Sequence, residues 1–456
     1  MSASMFKDEI LNKLADSANV AQFISFGPNA EQRFSRVSGF SANHDFGSVS
    51  QAAAALISAS PEKSVNVRSF RPGRPQGNEF HYGLTLLDVV ISHITRLTGS
   101  GFYVIINETV DVNDGGVSGV LQGGCLEFAP GVIPRFVEKD SKYPISSLPK
   151  DLGLEMLETV YGFKPSLHYP EGYRAEFSIH PKARGWHHKH TIIWEVEQVE
   201  EISITPYYIW PNLFSCFIGD KAYGLLLAHL KGLAVPRTTF FPRNSRLGLF
   251  TFGKPTGSGE KWTRTCPKIQ EPGRFSTIHK WVDPFEFMEK DDPDNQYLAS
   301  CIVQEGVESI YSGAVITDSD GNLILEGVKG FGDQFMLGKA RADILPNELQ
   351  DALRQVYKTA FNLLGDVRFE WAYDGTQIWI LQLHVGRSIS SGRIIVPGER
   401  KKWLDFEVDK GLEELRATVA MASKENFGIS LRGHVGMSSH VADVLRKAGI
   451  PARMEN

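Results

Sequence analysis

Cysteine is scarce in this chain: four in 456 residues, at positions 125, 216, 266 and 301, too far apart to pair as metal ligands. That excludes a disulfide-stapled scaffold and suits a reducing cytoplasm, the expected location. Long apolar runs are missing as well. None approaches the roughly 18 residues of a membrane span, and Lys7, Asp8 and Glu9 lie in an amphipathic N-terminal stretch that does not read as a secretory signal. Nor is there an excess of positive charge. The net charge is −5, so no basic field invites nucleic acid, and the one dense basic cluster, Arg400 to Lys402, reads as a solvated turn. Neither a membrane nor a nucleic-acid partner is expected. What is present is 42% hydrophobic residues, enough to bury cores for about three domains of roughly 150 residues each.

The chain reads as a duplication. "VIINETVDVNDGGVSGV" (104–120) is similar to "CIVQEGVESIYSGAV" (301–315), "SVNVRSF" (64–70) to "KWTRTCP" (261–267), and "YRAEFSIHP" (173–181) to "VRFEWAYDG" (367–375). The offsets barely move: 196 from Arg68 to Arg264, 197 from Leu148 to Leu345, 194 from Ser118 to Ser312 and from Glu176 to Glu370. Unrelated segments would not hold one register over so much sequence. Each copy is α+β. Residues 301–317 alternate like paired strands, 345–364 have helical apolar spacing after a proline, and 367–384 form a hairpin turning at Asp374-Gly375. Within that hairpin Glu370 and Gln382 lie on neighbouring arms and can face the same way. Such a pair either holds a hard divalent cation such as Mg²⁺ or is a solvated polar pair on an edge hairpin.

Several short motifs follow one another in an order that resembles the pyruvate phosphate dikinase, phosphoenolpyruvate synthase and rifampin phosphotransferase family. "GDKAYGLLLAHLKGLAVPRTTFF" (219–241) is similar to the family's glycine-lysine opening, "WTRTC" to its arginine strand, "LEGVKGFGD" (325–333) to its "EAxxGLGE", and "FEWAYDGTQIWILQLH" to its "IEWAxDGGxLYILQARP". The ending "GMSSHVADVLRKAGIPA" resembles its phosphohistidine signature. The resemblance covers about 219–456 and departs at His384, where the family has arginine, and at Met437, where it has glycine. It implies an ATP-grasp nucleotide domain at 206–384 and a short swivelling α/β phosphohistidine-like domain at 385–456, hinged near Gly386–Gly392. Residues 1–205 would be a degenerate ATP-grasp-like repeat serving as an acceptor or scaffold domain. It further implies ATP and Mg²⁺ as cofactors. Lys221 and Arg264 would meet the phosphates, Gln304, Glu305, Val307, Ser312, Gly313 and Glu326 would line the nucleotide, Glu370 and Gln382 would hold metal, and His440 would carry the phosphoryl group.

These residues suit phosphoryl transfer, which needs charge neutralisation, alignment and a nucleophile. A neutral imidazole at His440 could attack, and Ser438 and Ser439 could cap the following helix and donate to phosphate; alone, His440 reads as a capping-region surface residue. The loop "FGKPTGSGEK" (252–261) reads as a lid or as ordinary surface. His187, His188 and His190 form either a metal site or a solvated hairpin tip. Arg68, Arg71 and Arg74 read as an anion site or a solvated loop. The expected activity is a dikinase-type phosphotransferase acting on an unknown acceptor, with room for a homodimer. Two alternatives stand beside it: an ATP-grasp ligase that forms an acyl phosphate, and a non-catalytic nucleotide sensor.

Overall fold

A computed structural model describes residues 6–72, 79–134, 143–167, 172–198, 205–206, 208–244, 246–269, 275–337 and 340–455. Arg74 lies outside the described residues. The chain forms two compact units, 1–209 and 210–456. Both are mixed α/β and built mainly on antiparallel sheets.

In the first unit, strands β1 (Phe23–Phe26), β2 (Gln32–Arg36), β3 (Val65–Phe70), β4 (Phe80–Leu84) and β5 (Tyr103–Glu108) pair in the order β2-β1-β5-β3-β4. Helices α1 (Lys7–Leu14), α2 (Val49–Ala59) and α3 (Leu87–Gly99) accompany them. The second sheet joins β6 (Val117–Gln122), β7 (Cys125–Pro130), β8 (Ser146–Pro149), β9 (Tyr173–Arg184) and β10 (Lys189–Gln198) as β10-β9-β6-β7-β8, with helix α4 (Lys150–Tyr161).

The second unit opens with helices α5 (Leu213–Ile218) and α6 (Asp220–Leu230). Its first sheet comprises β11 (Thr238–Pro242), β12 (Phe250–Phe252), β13 (Lys261–Pro267), β14 (Thr277–Ile278) and, after helix α7 (Pro284–Asp291), β15 (Leu298–Glu305). They pair as β12-β11-β15-β13-β14, the same order as the opening sheet of the first unit. The next sheet holds β16 (Tyr311–Thr317), β17 (Leu323–Lys329), β18 (Val367–Tyr373) and β19 (Ile378–Val385), ordered β17-β16-β18-β19, with helices α8 (Asp333–Met336) and α9 (Asn347–Leu364) between β17 and β18. Without β8, the sheet of β6 to β10 runs the same way. The register repeats too: Val120 pairs with Glu176 and Glu176 with Glu195, as Ala314 pairs with Glu370 and Glu370 with Gln382. The repeat in sequence is therefore a repeat in topology.

The chain then forms β20 (Ile394–Val396), β21 (Trp403–Glu407), helix α10 (Gly411–Glu425), β22 (Gly428–Arg432), helix α11 (His440–Ala448) and β23 (Ala452–Met454), with the sheet ordered β20-β23-β22-β21. Its core of Ile395, Phe406, Leu415, Ile429 and Leu445 continues into Ile316 of β16. Ser439 caps α11 by accepting from the Ala442 amide, and Gly449 ends it in the left-handed conformation. Among the described residues, no helix is long and apolar enough to cross a membrane.

Two consequences can be measured. Helix α6 packs against β19 through Gly224, where an added Cβ would stand 2.2 Å from the Leu383 carbonyl oxygen and 2.5 Å from the Trp210 ring. A Gly-to-Ala change inside a helix usually gains about 1 kcal/mol; here overpacking reverses the sign. Gly224→Ala should lose about 1–3 kcal/mol in urea denaturation, whereas Gly248→Ala, with nothing within 4 Å of its added Cβ, should change little. In the first unit burial pushes the Glu108 carboxyl up to about 7, against the bonds from the Gln22 amide and side chain that pull it down. The folded value lies above the ordinary 4.5. The contribution of Glu108 to stability is thus complete below about 4.5 and lost once the pH passes about 7. Carboxyl ¹³C NMR should show one glutamate titrating near 7 that vanishes in Glu108→Gln.

Candidate functional site

The two antiparallel sheets of the second unit face one another across a cleft of about 560 Å³. Strand alternation turns Trp262 and Arg264 of β13 to the same side, and Gln304 lies directly opposite Trp262 on β15. From the other sheet come Ser312, Gly313, Glu370, Trp371 and Leu381, with Phe331, Gly332 and Met336 at the margin. Gly313 is dictated by space: a Cβ there would meet the Glu326 carbonyl oxygen at 2.0 Å.

Arg264 bridges the sheets. Its Nη1 donates to the Leu381 carbonyl at 2.9 Å. Its Nε is buried and has no hydrogen-bond partner, a state that costs about 1–3 kcal/mol for a polar group shut away from water. A group on a ligand would relieve that cost. Glu305 accepts from the Thr256 amide at 3.0 Å and from Lys261 at 3.2 Å. Burial pushes its carboxyl up, but that amide and Lys261 outweigh the burial and hold it below the ordinary range. The 252–261 loop is thereby tied to the cleft through Thr256.

A second cleft of about 330 Å³ adjoins the first and shares Glu370. Glu370 and Gln382 are cross-strand partners, with a register shift just beyond Glu370. Also lining it are Arg368, His384, Ser438 and Asp443. The Gln382 amide nitrogen lies 2.8 Å from His384 Nε2, and His384 Nδ1 lies 3.5 Å from Asp220. An amide nitrogen donates, so Nε2 accepts and the ring proton sits on Nδ1. Burial pushes the His384 imidazole below its ordinary value, against the pull of Asp220, and keeps it neutral. Arg368 pairs with Asp443 at 3.1 Å, and Asp443 also takes Arg446 at 2.6 Å. Burial pushes the Asp443 carboxyl up, but the two arginines hold it below the ordinary range.

Of the residues singled out in the sequence, Arg264, Gln304, Glu305, Val307, Ser312, Gly313 and Glu370 line the first cleft, and Glu370 and Gln382 the second. Three line neither. Lys221 is half-buried with its ammonium on the Thr265 carbonyl at 3.0 Å, and the loss of water around it lowers its pKa. The Glu326 carboxylate accepts from the Met437 and Ser438 amides at 3.0 and 2.8 Å and from the Ser438 hydroxyl at 2.5 Å. His440 begins α11, half-buried. The expected hinge is fastened: the Gly386 amide donates to Asp366, the Ser388 amide to Thr317, and Arg446 grips the Ser388 and Ser390 hydroxyls. In the first unit His187 and His190 bond the Ala15 and His180 carbonyls, and among the described residues no group of three or more His, Cys, Asp or Glu is placed to hold a metal ion.

Sequence reading missed Trp262, Phe331, Trp371 and Leu381 in the first cleft and Arg368 in the second. The period-2 alternation with Arg264 and Glu370 carried the signal for Trp262 and Arg368; Phe331 lay inside the glycine-flanked "LEGVKGFGD" motif, where only Glu326 was singled out.

No family model and no curated protein matches the chain. Solved structures that match include D-alanine–D-alanine ligase from Helicobacter pylori, at 10% identity and TM-score 0.26, covering 38% of this chain and 52% of that one. D-Cycloserine synthetase DcsG matches at 16% and 0.23, covering 50% and 69%. VanG D-Ala:D-Ser ligase from Enterococcus faecalis matches at 14% and 0.23, covering 37% and 52%. The chain thus spans about half the length of the first of these structures. The dikinase-family resemblance is corrected: no family model, and so none of that family, matches the chain, and no curated protein of that family does. The phosphohistidine-like assignment of 385–456 is withdrawn with it, since the loop before His440 is bonded to Glu326 and His440 lines neither cleft.

Proposed function

We propose that the second unit is an ATP-grasp nucleotide site and that the protein is an ATP-dependent ligase, activating a carboxylate as an acyl phosphate for attack by an amine. The observation that carries this is the adjacency of two clefts through one carboxylate, Glu370. The larger cleft has the features of a nucleotide site: an aromatic wall at Trp262 and Phe331, amide and carboxylate at Gln304 and Glu305, and a buried guanidinium with an unpartnered Nε at Arg264. The smaller offers Arg368, whose partner Asp443 is shared with Arg446 so that two guanidiniums face one carboxylate, to an anionic acceptor beside the place where the transferred phosphoryl group would emerge.

The donor set fits Mg²⁺. Glu370 and Gln382 supply two oxygens from adjacent strands, and this ion commonly takes one or two carboxylates while keeping water and phosphate ligands. Bound there, it would neutralise charge on the phosphoryl group in transit. The chain's own residues do the rest. Arg264 would draw a phosphate oxygen onto its Nε while its Nη1 stays on Leu381, so the guanidinium is already oriented. Arg368 would hold the acceptor carboxylate. Its oxygen attacks the γ-phosphorus, the bond to the β-phosphate oxygen breaks, and ADP leaves. The amine then displaces phosphate from the acyl carbon and gives up its proton.

A direct transfer of this kind does not use His440. His440→Ala should leave Mg·ATP turnover within about two-fold of the parent, with ADP and not AMP as product. Arg264→Ala should weaken Mg·ATP binding by calorimetry about ten- to a hundred-fold, the range of a charge-assisted hydrogen bond. Glu370→Gln should bind nucleotide but turn it over at least about a hundred-fold more slowly. Acid-labile phosphate on His440, with activity lost in His440→Ala, would overturn the ligase reading.

A further inference from the structure

The first unit has kept the cleft while changing its charge. Arg68, Asn107 and Glu176 line a cleft open to solvent at the register positions that Arg264, Gln304 and Glu370 hold in the second unit, and Val110, which also lines it, stands 197 residues before Val307. Even the bridging bond recurs: Arg68 Nη2 donates to the Trp194 carbonyl at 2.8 Å, as Arg264 does to Leu381. Arg68 Nε, like Arg264 Nε, is buried without a hydrogen-bond partner.

What differs is one residue further along the same strand. The second unit has Gln382; the first has Glu195, whose carboxylate is bonded by both Arg68 and Lys7. Glu176 is likewise paired with Arg174, at 2.8 Å. Lys7 also reaches Glu197 at 3.3 Å, so the three cations face three carboxylates, and a phosphate entering would have to break the buried Arg68–Glu195 pair. Breaking it leaves an uncompensated charge away from water, a large cost. The walls change in keeping. Phe80, Tyr82 and Trp194 bring aromatic surface, and the Asn107 amide nitrogen is spent on the Glu108 carbonyl at 2.9 Å, which leaves its oxygen to accept from a ligand N–H.

We infer that the first unit carries a second ligand cleft, for an uncharged flat heteroaromatic molecule of the nucleobase or nucleoside class, and that Glu195 keeps phosphorylated ligands out of it. The choice of a nucleoside rests on the nucleotide reading of the second unit; the cleft and its charge pairing do not.

Isothermal titration of the full chain with adenosine, with and without saturating Mg·AMP-PNP, tests this. One adenosine should bind per chain while AMP-PNP fills the second unit. Tyr82→Ala, at a residue 40% exposed, should weaken adenosine roughly ten-fold, the scale of a lost stacking contact, and leave AMP-PNP binding intact. Phe80→Ala serves if that variant does not fold. Glu195→Gln should raise AMP-PNP stoichiometry from one to two, because Arg68 is then no longer neutralised. AMP-PNP binding at one per chain with no adenosine bound at millimolar concentration overturns this inference and leaves the second-unit site standing. Adenosine binding lost in Tyr82→Ala, with no AMP-PNP bound, supports the cleft and removes the nucleotide reading of the second unit. If neither ligand binds, both fail.

Discussion

In each half of this chain a buried arginine crosses from one sheet to the other and donates to a backbone carbonyl. The bond sets the distance between the sheets, and so the width of the cleft they enclose. It also strands an Nε away from water. A guanidinium cannot shed its charge to escape that cost; it can only find an anion. Where that anion comes from decides what each cleft does. In the first unit it is Glu195, a fixed part of the chain. In the second the matching position is an amide, Gln382, which brings no charge. A carboxylate in place of an amide changes one heavy atom, an oxygen for a nitrogen, and in a low-dielectric cleft that adds a full negative charge beside the arginine.

The repeat was legible because strands tolerate few insertions where both faces are covered. The offsets of 194 to 197 residues stay narrow because a one-residue slip would turn each buried side chain outward. Glu370 and Gln382 were legible for the same reason: a hairpin with a two-residue period puts them side by side. What could not be read was closure. Lys221 follows a glycine, Gly219 with φ of +92°, at the start of α6, and by motif it should meet phosphate. But α6 packs on β19 and β13, and its lysine ends on a strand carbonyl instead. Nothing in the local sequence records that a sheet edge will cover a helix terminus.

The family assignment failed in a related way. Glycine-rich openings, Ser-His pairs and alternating strands each answer to local backbone geometry. They recur wherever a turn must precede a helix and carry no information about which surface the helix will meet. Glu326 makes the point. Its motif suggested a nucleotide ligand, yet its carboxylate sits on the amides of Met437 and Ser438. Those amides come just before a helix N-terminus, where an anion is stabilised by unpaired N–H groups. The chain has placed its own carboxylate where a phosphate would otherwise be welcome.

That contact also bears on how the parts lining the smaller cleft are held. The segment from β22 to α11 is joined to β17 through Glu326 and to β18 through the Arg368–Asp443 pair. Asp443 is in turn shared with Arg446, whose guanidinium reaches the Ser388 and Ser390 hydroxyls. Each of these bonds involves at least one side chain that is largely shielded from water, so each is stronger than an exposed pair would be. Together they keep Ser438 and Asp443 along the rim of the smaller cleft. The loop before α11 and the first turn of α11 therefore form one wall of the smaller cleft, and its width is set by where α11 is fastened. A wall pinned at three points keeps its shape with little rearrangement, whereas a carrier that had to swing would first have to release all three.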